Sequence, residues 1–212
     1  MPETGRFDQA AATWDAEERR ILLARGVTEA IAARCALPDD LDVLDFGCGT
    51  GLVSLGLRPL VRRVTGVDTS RGMLDVFERK VLEQGLDGVR AVLLPPGAPL
   101  SLPDRFHLVV SSMTLHHVAD LAPLFARFHD HLQPGGRVAL ADLDHEDGTF
   151  HEDARGVVHL GFDRGGIVEL LAGAGFVDVE VETAAVTRKG ERLYPVFLAT
   201  GRKVEAELPA EP

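Results

Sequence analysis

The chain has 212 residues, 45% apolar and 26% charged, which suits one globular domain with a sizeable core and is too apolar for a disordered chain. Its 22 Lys and Arg against 33 Asp and Glu leave a net charge of -11, which argues against a nucleic-acid backbone or an anionic membrane surface as partner. Two cysteines cannot build a disulfide framework, no window approaches the roughly 18 apolar residues of a membrane span, and the first eight residues carry no basic or apolar run, so a reducing cytoplasm is expected.

Residues 8–35 are mostly good helix formers with two apolar stretches, which predicts one or two helices before the first strand. Asp42 to Phe46 (DVLDF) reads as a buried strand that runs into a glycine-rich turn, Gly47 to Gly51. A helix follows from about Leu52 to Val61, ended near Pro59, and Arg63 to Asp68 (RVTGVD) is a second strand. Ser70 can cap the next helix, whose Met73, Phe77 and Val81 recur at helical spacing and which stops at Gly85. Val89 to Leu94 is a third strand and His107 to Ser112 a fourth. Leu121, Leu124, Phe125, Phe128 and Leu132 mark one apolar helix face. Pro134, Gly135 and Gly136 then turn the chain into a fifth strand, Arg137 to Leu143. Beyond a polar loop, Arg164 to Ala174 reads as a helix stopped by Gly175, Val177 to Val181 as a half-exposed strand and Tyr194 to Thr200 as the last. Seven strands alternating with helices predict an α/β fold, an open doubly wound, mostly parallel sheet covered on both faces.

In such sheets ligands bind outside the carboxyl ends of the strands, so the first strand-to-helix turn is the place to look. It reads Asp45-Phe46-Gly47-Cys48-Gly49-Thr50-Gly51, with a glycine at every second position where the backbone must bend sharply and approach a ligand. A dinucleotide pattern would need a glycine where Leu52 stands, and Asp45 would repel a pyrophosphate while favouring a ligand with a sulfonium and an ammonium. Asp68 closes the second strand, where a carboxylate can accept hydrogen bonds from ribose hydroxyls. Together these point to a nucleoside with a cationic tail and no phosphates.

These residues resemble the class I S-adenosylmethionine-dependent methyltransferases. VLDFGCGTG (Val43 to Gly51) is similar to that family's first motif and VTGVDTSRGML (Val64 to Leu74) to its second. LVVSSMTLHHV (Leu108 to Val118) and LQPGGRVALADLD (Leu132 to Asp144) are similar to its fourth- and fifth-strand motifs. The opening FDQAAATWD (Phe7 to Asp15) resembles an N-terminal motif of the small-molecule branch. The resemblance implies a Rossmann-like seven-stranded sheet whose last strand is antiparallel, with S-adenosyl-L-methionine as cofactor. It implies that Asp45, Gly47, Gly49 and Gly51 line the methionine and ribose portion, that Asp68 holds the ribose hydroxyls and that Thr69 and Met73 flank the adenine. Met73 equally fits plain core packing with Phe77 and Val81. Ser111 would offer its backbone to the amino-acid end, with Met113 near the methyl group. The acid that relatives carry after the third strand is replaced by Pro95, Pro96 and Gly97, and Phe106-His107 stands where relatives have Phe-Asp, with His107 read as structural. Residues 1–40 are expected to form a helical lid segment, 41–203 the cofactor-binding core and 204–212 a polar tail.

All eight histidines lie at or after position 107, in the half that would face the acceptor. His116 and His117 directly follow the fourth strand and are the candidate bases, an imidazole titrating near neutral pH being suited to that task. Packing or capping in the loop is the competing role. His145, His151 and His159, with Asp142, Asp144, Glu146, Glu152 and Asp153, fit no tight metal template and read as a solvated acidic loop, so no metal is expected. Trp14 either stacks on a ligand or pins the N-terminal segment, and Cys48 reads as a small residue in a crowded turn. The expected reaction is methyl transfer to a small-molecule acceptor, neutral or cationic, by a monomer or homodimer that binds neither nucleic acid nor membrane. A non-catalytic cofactor-binding sensor or partner subunit is the alternative, because methyl transfer demands no unique catalytic residue.

Overall fold

The structure is a computed structural model that describes residues 4–151 and 153–205, so Glu152 and the tail beyond Glu205 lie outside the described residues. Strands β1 (Asp42–Phe46), β2 (Arg63–Asp68), β3 (Val89–Leu93), β4 (Phe106–Ser112), β5 (Leu132–Leu143), β6 (Val177–Lys189) and β7 (Arg192–Arg202) form one sheet in the order β3-β2-β1-β4-β5-β7-β6. The first five are parallel, and β7 runs antiparallel to both β5 and β6. Strand order reverses between β1 and β4, which opens a crevice at their carboxyl ends.

Among the described residues six α-helices surround the sheet: α1 (Thr4–Ala10), α2 (Glu18–Arg34), α3 (Leu52–Leu57), α4 (Arg71–Glu83), α5 (Leu121–His131) and α6 (Arg164–Gly173). Successive strand side chains point to opposite faces, so Val43 joins Val27, Ile31 and Leu57 of α2 and α3, whereas Leu44 joins the opposite core with Phe125, Phe128 and Leu171 of α5 and α6. On β2, a Cβ at Gly66 would sit 2.6 Å from the Phe77 ring, so this glycine lets α4 lie flat on the sheet. At the opposite end of β1 from the crevice, Asp42 accepts paired hydrogen bonds from Arg63 and Arg62, which hold its carboxyl well below the usual range. His107 sits at the register shift of β4 and its Nδ1 accepts from the Asp42 amide at 3.0 Å, a structural role as expected.

β5 and β6 extend furthest beyond their expected bounds, while β7 outruns the expected Tyr194 to Thr200 by two residues at each end. β5 begins at Leu132 rather than Arg137, because Gly135 N–H donates to Lys203 O and Lys203 N–H to Gly136 O, which draws the glycine turn into the sheet. β6 runs to Lys189 and pairs with β7 along a long hairpin that reverses at Gly190, where φ is +60°. Residues 182–189 lack a clean alternation because a register shift between Thr183 and Ala185 interrupts that pairing and half-buried residues fall next to one another there.

Candidate functional site

The turn after β1 is pinned from both sides. Gly47 and Cys48 donate their amides to Val67 O, at 2.7 and 3.1 Å, and Gly51 donates to Cys48 O. Gly47, Gly49 and Gly51 all have left-handed φ, at +73°, +54° and +82°. A Cβ at Gly47 would lie 2.2 Å from Thr114 Oγ1, and one at Gly51 would lie 2.2 Å from the Phe77 ring, whereas one at Gly49 meets nothing within 4 Å. Two of the glycines therefore admit neighbouring side chains, and the third opens onto free space. Cys48 is buried against Leu74 and Phe77, and burial pushes its thiol well up, so it is no nucleophile.

Asp68 crosses the mouth of this turn: Oδ2 accepts from Gly49 N and Oδ1 from Ser70 N, both at 2.8 Å. Burial raises its proton affinity against the pull of those amides, and each oxygen keeps a further lone pair. Thr69 follows, half-buried. Asp45 was expected to act as a plain anion, but it is buried, hydrogen-bonded by Ser54 Oγ, and pushed up to about 7 by burial first and by the charge of Asp68. Ser111, fully buried at the end of β4, donates its hydroxyl to Phe46 O at 2.8 Å and so ties β4 to the turn. Met113 just beyond has φ of +54°, a strained backbone for a side-chain-bearing residue, held by its amide to Ala141 O. After β3, Pro95, Pro96 and Gly97 make an exposed turn closed by Ala98 N to Pro95 O, with no acid in it.

The N-terminal segment closes over the same strand ends. Asp8 Oδ1 accepts from Ser70 Oγ at 2.6 Å and from Gly72 N at 2.8 Å, extending the cap that Ser70 places on α4. Asp15 accepts from Thr50 Oγ1 and pairs with Lys80, whose ammonium also donates to Thr50 O. Met73 is buried beneath Phe7, Ala11 and Trp14, and the Arg20 guanidinium covers the Trp14 ring at 3.7 Å. We expect Asp8→Ala to cost about 1 kcal/mol in urea unfolding, the ordinary worth of a helix cap. Limited proteolysis of that variant is expected to cut within residues 4–16 sooner than in wild type; equal cutting would remove Asp8 as the latch.

On the other side of the crevice His116, His117 and His151 converge. The His116 ring lies 4.1 Å from that of His117 and 4.8 Å from that of His151. His116 and Asp142 are both buried and joined by a 2.7 Å Nδ1 to Oδ1 hydrogen bond. His117 Nδ1 donates to Gly156 O at 2.7 Å, and its Nε2 faces Arg6 at 3.5 Å. Burial first, and then the neighbouring His116, hold both His117 and His151 down to about 4. His145 is exposed, His159 Nε2 donates to Val118 O, and Asp144 pairs with Arg164. Among the described residues no group of three or more His, Cys, Asp or Glu is placed to hold a metal ion, and no helix is long and apolar enough to cross a membrane. Sequence reasoning missed the pairing of Asp142 with His116. Its signal is the β4–β5 adjacency, which sets Ser111 beside Leu140 and brings the ends of both strands together.

This strand order, with a glycine turn and a facing carboxylate at the switch point, is that of the class I methyltransferase fold. The chain belongs to the methyltransferase domain family, whose model matches residues 16–181. It is 33% identical over 160 residues to an uncharacterized methyltransferase of Schizosaccharomyces pombe, covering 66% of this chain and 55% of that one. It is 30% identical over 169 residues to the cypemycin N-terminal methyltransferase of a Streptomyces species, covering 77% of this chain and 62% of that one. The chain thus spans less than two thirds of either relative. Phosphoethanolamine N-methyltransferase 2 of Haemonchus contortus, solved in complex with S-adenosyl-L-methionine, shares the fold with a TM-score of 0.69 at 19% identity, over 84% of this chain and 52% of that one.

Proposed function

We propose that this chain transfers a methyl group from S-adenosyl-L-methionine to a small-molecule acceptor. The observation that carries this reading is the Asp68 carboxylate bridging Gly49 and Ser70 while keeping lone pairs free, beside the open space over Gly49. The residues fit the cofactor: open space over Gly49 where no Cβ intrudes, a carboxylate for two ribose hydroxyls, and Asp45 buried beneath the turn where a cationic tail favours its anionic form. Gly47, Gly49 and Gly51 would line the methionine and ribose portion, Thr69 and Met73 the adenine, and the Ser111 backbone the amino-acid end. Met113 would stand near the methyl group, and His116 and His117 would face the acceptor. When bound, the cofactor supplies a methyl carbon already activated by a sulfonium. What the protein adds is placement of the acceptor at roughly 3–3.5 Å and exclusion of water by the N-terminal lid.

A small acceptor is supported by the net charge of -11 and by a lid latched through Asp8 and Asp15 rather than an open groove. The phosphoethanolamine enzyme of like fold acts on a small molecule, whereas the cypemycin enzyme is named for a terminus, so a peptide end is the second reading. Calorimetry with S-adenosylmethionine and its demethylated product tests the cofactor; absence of binding below about millimolar, a ΔG of roughly -4 kcal/mol, sinks the reading. We expect Asp68→Ala to weaken that binding by about 1.5–3 kcal/mol, the worth of hydrogen bonds to a charged acceptor. Unchanged affinity would remove Asp68 from the site. Label from methyl-labelled cofactor appearing in any compound of a metabolite extract decides between turnover and a non-catalytic binding role.

A further inference from the structure

One arrangement on the acceptor side exceeds what methyl transfer in general requires. Asp142 is fully buried near the end of β5, accepting from His116 Nδ1 through Oδ1 and from the His116 amide through Oδ2 at 3.3 Å. A carboxylate on Nδ1 fixes the imidazole as the tautomer whose lone pair is on Nε2. Among the described residues that Nε2 has no hydrogen-bond partner. Beside it, the Nε2 of His151 is buried and likewise unpartnered among the described residues, so it is left for water or a ligand. The charged and titratable groups around the pair are Asp142 on β5, Glu146 and His151 on the following loop, the adjacent His117, and Arg6 of α1 behind His117. His117 is not the equal of His116: its Nδ1 is spent on Gly156 O and its Nε2 points at a guanidinium.

We infer that His116 takes a proton from the acceptor through Nε2, with Asp142 as its positioning residue, and that the acceptor's nucleophile is an acidic hydroxyl, phenolic or enolic. This rests on the methyltransferase reading above. A neutral amine can attack with its lone pair and shed a proton to water afterwards, so it needs no built-in base. A neutral hydroxyl that attacked intact would become an oxonium, so its O–H bond breaks as the oxygen–methyl bond forms. The proton goes to His116 Nε2, the carbon–sulfur electron pair stays with sulfur, and the resulting imidazolium is stabilised by the Asp142 carboxylate. An imidazole is a far better matched base for a hydroxyl of pKa about 10 than for an aliphatic alcohol, which holds its proton more tightly.

The test takes wild type, His116→Asn and Asp142→Asn with saturating methyl-labelled S-adenosylmethionine and a deproteinised bacterial metabolite extract at about pH 8. Wild type is expected to place label in O-methyl groups, released as methyl iodide by hydriodic acid. His116→Asn is expected to lose about 10²–10⁴-fold in rate, as for removal of a general base. Cofactor affinity by calorimetry should stay unchanged in both variants. A readout independent of turnover is the nitrogen-15 histidine spectrum, where His116 should carry its proton on Nδ1 in wild type and a mixture of tautomers in Asp142→Asn. Label in N-methyl groups, a rate indifferent to His116→Asn, or His116 protonated on Nε2 overturns the inference while leaving the methyltransferase reading intact. Cofactor binding with no label transferred by wild type overturns both.

Discussion

Gly51→Ala is expected to destabilise the protein by about 2–5 kcal/mol, whereas Gly49→Ala, two residues away, costs about 1 kcal/mol and instead abolishes cofactor binding. Both positions have left-handed backbone, so each substitution pays the strain of a Cβ at positive φ. Only at Gly51 does the Cβ also collide, lying 2.2 Å from a Phe77 ring that is itself fully buried between α4 and the sheet. That ring cannot retreat without disturbing Gly66 and Cys48 beneath it. At Gly49 the added methyl enters open space, which the proposed function assigns to the ligand. Urea unfolding and calorimetry on the two variants should give opposite profiles, one unstable and the other stable but without affinity. Cofactor affinity retained by a stable Gly49→Ala would place the ligand elsewhere.

That contrast also marks how far the sequence carries. The spacing of Gly47, Gly49 and Gly51 announces a tight turn at a strand end, and the short runs at 42–46 and 63–68 predict β1 and β2 with their observed bounds, because Val43, Leu44, Phe46, Val64 and Val67 are bracketed by polar residues and the glycine turn. Ser70 capping α4 and Gly175 ending α6, where φ is +93°, were legible for the same local reason. Which glycine serves packing and which faces open space was not, since Thr114 and Phe77 arrive from distant elements. The Asp8 and Asp15 latches reach residues far along the chain, and the His116–Asp142 pair exists only because β4 and β5 are neighbours. The early start of β5 depends on Lys203, which is distant along the chain but follows β7, the neighbour of β5 in the sheet. Local propensity speaks to caps and turns, whereas these partners are chosen by topology.

Asp45 shows the same limit, and it carries the second large effect. Its carboxyl titrates at about 7 in the folded protein against an ordinary 3.8, because burial disfavours the anion and Asp68 adds a like charge. The folded state therefore binds more protons than the unfolded chain between these values, so this group's stabilising contribution is complete below about 4 and is lost as pH rises through about 7. We expect Asp45→Asn, whose amide oxygen can still accept from Ser54 Oγ, to be close to wild type at pH 4 and more stable by up to about 4 kcal/mol at pH 8. Denaturant midpoints at the two pH values check this; a variant no more stable at pH 8 would show that Asp45 is not held near 7. The same substitution should weaken the cofactor, because a cationic tail near Asp45 stabilises the anion that the empty fold resists. In wild type, binding then expels a proton and affinity rises from pH 6 to 8, seen in calorimetry as a heat that depends on the buffer's ionisation enthalpy. Asp45→Asn should remove both the proton release and the pH dependence, so that the change which relieves the fold is the one that impairs the site.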